Sequence, residues 1–416
     1  MIVVKKEDYK PQNGNTTVVV MTSLSSFNRS YSLTTVIIDQ LRALVIAGYK
    51  VKFWVTTVCD LSLMPPDIAQ TVEVQKVMPT FRWKEDEVDE NGAKDIKNAL
   101  DKYLFCLESA VVITHDLMFI DSFVTFAHVA HSLIPNSKFK WLHCCHSSVS
   151  ARPEEGVKRL RSSLPQGHKI ICLNKHLASK FATYYGTTID KIIVVNNSRD
   201  IRAFLRFPEE IWDLVHRSGA LSADIVQTFS FSTMRAESKG LEHVIKIFGM
   251  MKKFQLNVKL ILLNAHAVDP KAKDLIEKYK KMVDDCGLKG DVTWYSDEFK
   301  NHGYIGASES IVSSFLQISN VFIFPTISEA GPLALMEAAL SGCLLVLNRQ
   351  VQPLLDYTPN WCGLYYDFNE NTHQEIAKNI AHYLSNNISN LSKRHTLRHN
   401  NILSMSKQLQ TAIGKF

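Results

Sequence analysis

Short runs of β-branched and aromatic residues recur along this chain, separated by stretches whose apolar residues fall at helical spacing. The first run is Thr17-Val-Val-Val-Met21. A helical pattern follows it (Leu33, Val36, Ile37, Leu41, Leu44, Val45) and stops at Gly48, a residue type suited to the position just past a helix. Val51–Val55 reads as the next strand, and further strands are predicted at Ala110–Thr114, Lys140–Cys144, Lys169–Leu173 and Lys191–Val195. A strand followed by a helix and another strand implies a parallel sheet wrapped by helices.

A second series begins at Asp224–Phe229 and continues through Lys259–Leu263, Asp291–Tyr295, Asn320–Phe324 and Cys343–Leu347. Helices are predicted between these strands at His243–Met251, Ala272–Cys286 and Pro332–Leu340. The break between the series falls around Phe207–Gly219. The expected class is α/β, with two tandem Rossmann-like doubly wound domains whose sheets present their carboxyl ends to a cleft, the usual place for a ligand. The predicted domains are 1–205, 206–395 and a basic helix, 396–416, that crosses back to the first domain.

Composition narrows the function classes. With 46% hydrophobic and 21% charged residues, the chain is neither disordered nor fibrous. No stretch approaches the roughly 18–20 apolar residues of a transmembrane helix, and Met1–Asp8 lacks the apolar core of a secretory signal. Eight cysteines without a CxxC pair predict free thiols in a reducing compartment, hence a cytoplasmic location. From Ile376 to Phe416 there are six basic residues and no acid. Such a tail suits phosphates of nucleic acid or an anionic membrane face, and suits a solvated helix surface equally well.

The most informative segment is Phe324-Pro-Thr-Ile-Ser-Glu329-Ala330-Gly331-Pro332-Leu333-Ala-Leu-Met-Glu337. A strand runs into a tight turn, and Pro332 suits the first position of a helix. The helix start offers unpaired N–H groups and a positive dipole end, a setting for phosphate, and Gly331 permits close backbone approach. Glu329 and Glu337 can grip sugar or ribose hydroxyls. The same pattern also describes a capped core helix with two solvated glutamates.

The E-x7-E spacing of Glu329 and Glu337 resembles the signature of retaining GT-B glycosyltransferases of the large group 1 family. Arg235-Ala-Glu-Ser-Lys239-Gly240 is similar to that family's Arg…Lys-Gly pair, and Val194–Asp200 to its Asn-Gly-x-Asp segment. The resemblance runs from about residue 170 to 370. It implies that Arg235 and Lys239 neutralise a donor diphosphate, that Glu337 binds ribose, and that Glu329 binds the transferred sugar. Backbone around Ala330, Gly331, Pro332 and Leu333 would meet sugar and phosphate oxygens. The chain departs from the family in three places. Thr22–Ser30 lacks the first glycine-rich loop, Asn264-Ala265-His266 replaces Gly-x-Gly, and Ser198 replaces the glycine of Asn-Gly-x-Asp.

Signals in the first half are sparser. His146 lies just past a predicted strand, where the resemblance places a histidine near the donor sugar and the attacking hydroxyl, and His115 is a second candidate. Each reads as readily as a hydrogen-bonded structural histidine. The run His143, Cys144, Cys145 and His146 is not expected to make a zinc site, because adjacent cysteines point to opposite faces of a strand and the usual ligand spacing is missing. Arg29, Lys158, Arg159 and Arg161 are candidates for an anionic acceptor, and Phe81-Arg-Trp83 for stacking. P-loop, HExxH, GxSxG and D-x-D patterns are absent.

The resulting expectation is a glycosyltransferase that uses a nucleotide-diphosphate sugar as co-substrate, with no further cofactor and no metal. Its acceptor would be a glycan or a lipid-linked saccharide, with peripheral contact to anionic membrane. A modified base of DNA, or an inactive sugar-nucleotide-binding scaffold, are the alternatives.

Overall fold

The computed structural model describes residues 16–27, 32–80, 88–118, 123–132, 138–146, 164–265, 270–298, 306–329, 332–359 and 361–415. They form two compact units. Unit 1 comprises the chain up to Asp200 together with Asn400 onward, and unit 2 comprises Ile201–His399.

Unit 1 is built on β1 (Thr17–Met21), β2 (Lys50–Thr56), β3 (Glu73–Met78), β4 (Val111–His115), β5 (Lys140–Cys144), β6 (His168–Cys172) and β7 (Ile192–Val194). Their order is β3-β2-β1-β4-β5-β6-β7, every pairing parallel. Both faces are covered, which is why the strands read as continuous apolar runs: Val18 and Val20 enter one core, Val19 and Met21 the other. The helix Ser32–Ile46 buries Ile37, Leu41 and Leu44 on the first face, and Gly48 turns out of it at a φ of 83°. Strand β3 was not among the expected elements. Its sequence, Glu-Val-Gln-Lys-Val-Met, belongs to a sheet edge and is half polar.

The last helix, Ile402–Gly414, packs on the same face as Ser32–Ile46 through Met405, Leu409 and Ala412. The returning chain is fastened where Arg199 N donates to Asn400 O at 2.9 Å. Beneath that crossing, Asp39 pairs with Arg199 and Arg42 pairs with Asp67 and Asp200.

Unit 2 contains β8 (Ile225–Ser232), β9 (Val258–Ala265), β10 (Val292–Trp294), β11 (Val321–Phe324), β12 (Leu344–Asn348) and β13 (Leu364–Tyr366). Backbone ladders join them as β10-β9-β8 and β11-β12-β13, all parallel. Side-chain amides bridge the two halves. Gln227, fully buried on β8, donates from Nε2 to Ile323 O at 2.9 Å and accepts Ile323 N at 3.0 Å. Asn320 Oδ1 accepts Val226 N at 2.8 Å, and Asn320 N donates to Val226 O at 3.0 Å. The chain order therefore reverses at β8/β11, as it does at β1/β4 in unit 1. Strand β13, three half-buried residues, escaped the sequence reading.

The segment Phe207–Gly219, expected as a break, is structured. It holds the helix Glu209–Arg217, whose Ile211, Leu214 and Val215 are buried in a unit 2 core with Val226, Ile261 and Leu263. The charged residues between these apolar positions belong to an amphipathic helix, which at nine residues is easily taken for a linker.

Candidate active site

In unit 2 the chemistry gathers where β8 and β11 end. After β8 the chain makes a single 3₁₀ turn, Thr233–Arg235, held by Thr233 Oγ1 donating to Ala265 O at 2.7 Å. Lys239 N donates to Arg235 O at 2.9 Å, and Gly240 then starts the helix Leu241–Lys253. Gly240 has a φ of 71°, and a Cβ built there would lie 2.7 Å from both Cγ and O of Pro325. Only glycine lets this loop touch the end of β11 so closely. Ile327 N donates to Ser238 O at 3.0 Å across the same contact.

That contact brings the Lys239 ammonium onto the Glu329 carboxylate, with side-chain exposures of 13% and 10%. Lys239 Nζ also lies 5.2 Å from the centre of the Phe324 ring. Burial, and after it the neighbouring Arg235 guanidinium, lowers the Lys239 pKa to about 8. The Glu329 contact pulls the other way. Arg235 is itself exposed. Pro332 is buried as the residue capping the helix Leu333–Leu340, one position earlier than the first helical place expected for it, and Leu333 is exposed. Glu337 is half-buried in the middle of that helix. Ala330 and Gly331 lie outside the described residues. At the departure from Gly-x-Gly, buried Asn264 ties β9 to the next strand's end through Ser296, at 2.8 Å.

In unit 1 a second cluster stands at the ends of β4 and β5. His115 is fully buried, and its Nδ1 lies 2.8 Å from His146 Nε2, with the ring centres 5.1 Å apart and the planes within 10° of each other. Asp116, at a φ of 56°, accepts His146 N at 2.8 Å and so fixes the loop after β5. Burial lowers His146 to about 4 and holds His115 well below its usual range, so both rings are neutral at physiological pH. Burial likewise raises the Cys144 thiol to about 12, although Gln40 Nε2 stands 3.7 Å from the sulfur.

Cys144 and Cys145 enter opposite cores of the sheet, as strand geometry requires. His143 turns to Thr114 and His168, at 2.8 and 2.9 Å. The sequence reading did not anticipate Cys144 joining His115 and His146. The strand pairing that unites them lies between segments 29 residues apart, counted from His115 to Cys144 in register. Arg29, Lys158, Arg159, Arg161 and Phe81-Arg-Trp83 lie outside the described residues.

Three of the six basic residues of the tail are spent on the fold. Arg394 is 5% exposed and donates to Ala220 O, Ala223 O and Ile318 O; Lys393 donates to Ser319 O, and Arg398 to Ser222 O and Asp224. No helix among the described residues is long and apolar enough to cross a membrane.

Two Rossmann-like units, the second with a cationic and carboxylate cluster where its strand order reverses, make an α/β fold of GT-B type. Residues 226–402, most of the second unit, match the model of the family Glycosyl transferases group 1. Comparison with curated proteins finds no match. Similar solved structures include a glycosyltransferase from Rickettsia africae ESF-5 (14% identity, TM-score 0.38, covering 96% of this chain and 98% of that one). HepE of Anabaena in complex with UDP is another (12%, 0.35, 96% and 100%), as is sucrose-phosphate synthase of Thermosynechococcus elongatus (13%, 0.37, 96% and 98%).

Proposed function

We propose that this chain moves a sugar from a nucleotide-diphosphate donor to a hydroxyl of a glycan or lipid-linked saccharide, with the anomeric configuration retained and no metal ion at the diphosphate. The reading rests on one observation: Lys239 and Glu329 meet at the ends of β8 and β11 within the group 1 domain. An ammonium paired with a carboxylate in a half-buried site is a resting state that a diphosphate can displace. Donor binding exchanges Glu329 for phosphate oxygens at Lys239 and frees Glu329 to accept hydrogen bonds from hydroxyls of the sugar. Exposed Arg235 adds a second fixed charge for the departing nucleotide. Glu337 takes the ribose, and backbone from Ala330 to Leu333 the remaining oxygens. Retention follows from the family resemblance.

Unit 1 supplies the acceptor side in this reading. His146 and His115, neutral and stacked, orient the attacking hydroxyl, and Arg29, Lys158, Arg159 and Arg161 meet an anionic acceptor. Three of the tail's six basic residues, Lys393, Arg394 and Arg398, already serve carbonyl groups, which favours a saccharide over a nucleic-acid acceptor.

A thermal-shift screen of nucleotide sugars, repeated with a chelator, tests the donor half. One donor should raise the melting temperature with or without metal, because a ligand that binds only the folded state stabilises it. Turnover of that donor with saccharide acceptors, and the anomeric configuration of the product by NMR, test the rest. Absence of any shift would overturn the reading. A shift without turnover on any acceptor would make the chain a sugar-nucleotide-binding protein.

A further inference from the structure

We propose that unit 1 binds a zinc-like divalent cation through His115, Cys144 and His146, a role that would replace the hydroxyl-orienting one given to the two histidines above. His115 and Cys144 close β4 and β5 and are partners in register, so their side chains leave the sheet on the same face. His146 follows two residues later. One ligating atom from each of the three lies within 4.8 Å of the others. The loop carrying His146 is pinned on both sides, since Asp116 N donates to Cys144 O at 2.9 Å and Asp116 Oδ1 accepts His146 N at 2.8 Å.

The donor set selects the ion. Two imidazoles and a thiolate are borderline-soft ligands that suit Zn²⁺, and three protein ligands leave a fourth position for water. The set has none of the oxygen ligands that Mg²⁺ or Ca²⁺ require. Two nitrogens bound to a tetrahedral ion at about 2.0 Å stand roughly 3.3 Å apart. The observed 2.8 Å between His115 Nδ1 and His146 Nε2 is shorter than that, so ligation requires the two rings to part and turn toward the ion.

Among the described residues, His115 Nε2 and His146 Nδ1 are buried without a hydrogen-bond partner. Whichever neutral tautomers the pair adopts, sharing one proton between Nδ1 and Nε2 leaves one outer N–H and one outer lone pair stranded away from water. A cation that takes both inner lone pairs places a proton on each outer nitrogen, and each of these N–H groups then needs an acceptor. Both histidines are then in the tautomer that metal ligation uses. Gln40, whose Nε2 stands 3.7 Å from the Cys144 sulfur, also carries a buried unpartnered Oε1. On binding, the Cys144 thiol proton leaves to solvent and its sulfur lone pair bonds the ion.

The test uses the full chain, stripped with a chelator and titrated with Co²⁺ and then Zn²⁺; it contains no nucleotide sugar and stands independent of glycosyl transfer. One equivalent of Co²⁺ should bind with a near-ultraviolet thiolate-to-cobalt band and visible bands of tetrahedral intensity, and Zn²⁺ should bleach both. Cys144→Ser should abolish the near-ultraviolet band, and His146→Gln should weaken binding by roughly tenfold or more. No stoichiometric uptake, or an unchanged band in Cys144→Ser, would overturn the proposal. Should Cys144→Ser fail to fold by circular dichroism, His146→Gln decides, at a half-buried loop position outside the strands: unchanged affinity sinks the site.

Discussion

The Lys239 ammonium rests on the Glu329 carboxylate although 90 residues of chain separate them. Two loops at the ends of adjacent strands make the contact, and burial together with Arg235 lowers the lysine to about 8. Lys239 is therefore cationic below that pH and loses its charge as pH rises through it. In the proposed reaction kcat/KM for the donor, which reports the free enzyme, should fall about tenfold per pH unit above roughly 8. Lys239→Arg should remove that limb, because a guanidinium stays charged, and Lys239→Ala should lower kcat/KM about 10²–10³-fold. Unchanged pH–rate profiles in the variants would dismiss Lys239 as the diphosphate's partner.

Gly240→Ala should damage both stability and transfer. Its left-handed backbone costs an alanine about 1–2 kcal/mol, and the new methyl would push into Pro325. Equilibrium denaturation should show a loss of more than about 2 kcal/mol. Donor affinity should fall with it, since the same contact sets Lys239 beside Glu329.

Gln227→Leu keeps the volume and deletes the bridge between β8 and β11. Ile323 would be left with a buried N–H and a buried carbonyl lacking this partner, at about 1–3 kcal/mol each. Urea unfolding should register a loss of roughly 2–5 kcal/mol. A loss below 0.5 kcal/mol, about the noise of a surface substitution, would show that the bridge contributes nothing net.

His168, 1% exposed against Trp141, is held at about 3 by burial first, then by His131 and Lys191. The unfolded chain takes up this proton near pH 6.5, while the folded chain does not until about 3. Stability contributed by the neutral ring is thus complete above 6.5 and falls as pH drops from there toward 3. Between pH 6.5 and 5 the loss should be about 2 kcal/mol, and His168→Phe should flatten that slope in urea titrations at the two pH values.

Much of the architecture is written locally. A run such as Thr17–Met21 or Val321–Phe324 is apolar on both faces because a parallel strand has a core on each side, and 3.6-residue spacing marks Ser32–Ile46 wherever it ends up. Glu329 and Glu337 carry their family spacing in the chain itself. Signals fade where an element is short or lies at an edge, as in β3, β13 and the helix Glu209–Arg217.

Periodicity says which face of a strand is buried and nothing about which strand lies beside it. The sequence alone thus determined two series of parallel-strand units and the spacing of Glu329 and Glu337. Tertiary structure decided that Gln227 and Asn320 would join the halves of the second sheet, that Lys239 would lie on Glu329, and that Arg394 would turn inward to three carbonyls. It also set His115 beside Cys144 and His146. Each of these depends on segments distant in the chain being brought together. The energy that does so is burial of apolar surface, summed over a whole core, and no short window of residues carries it.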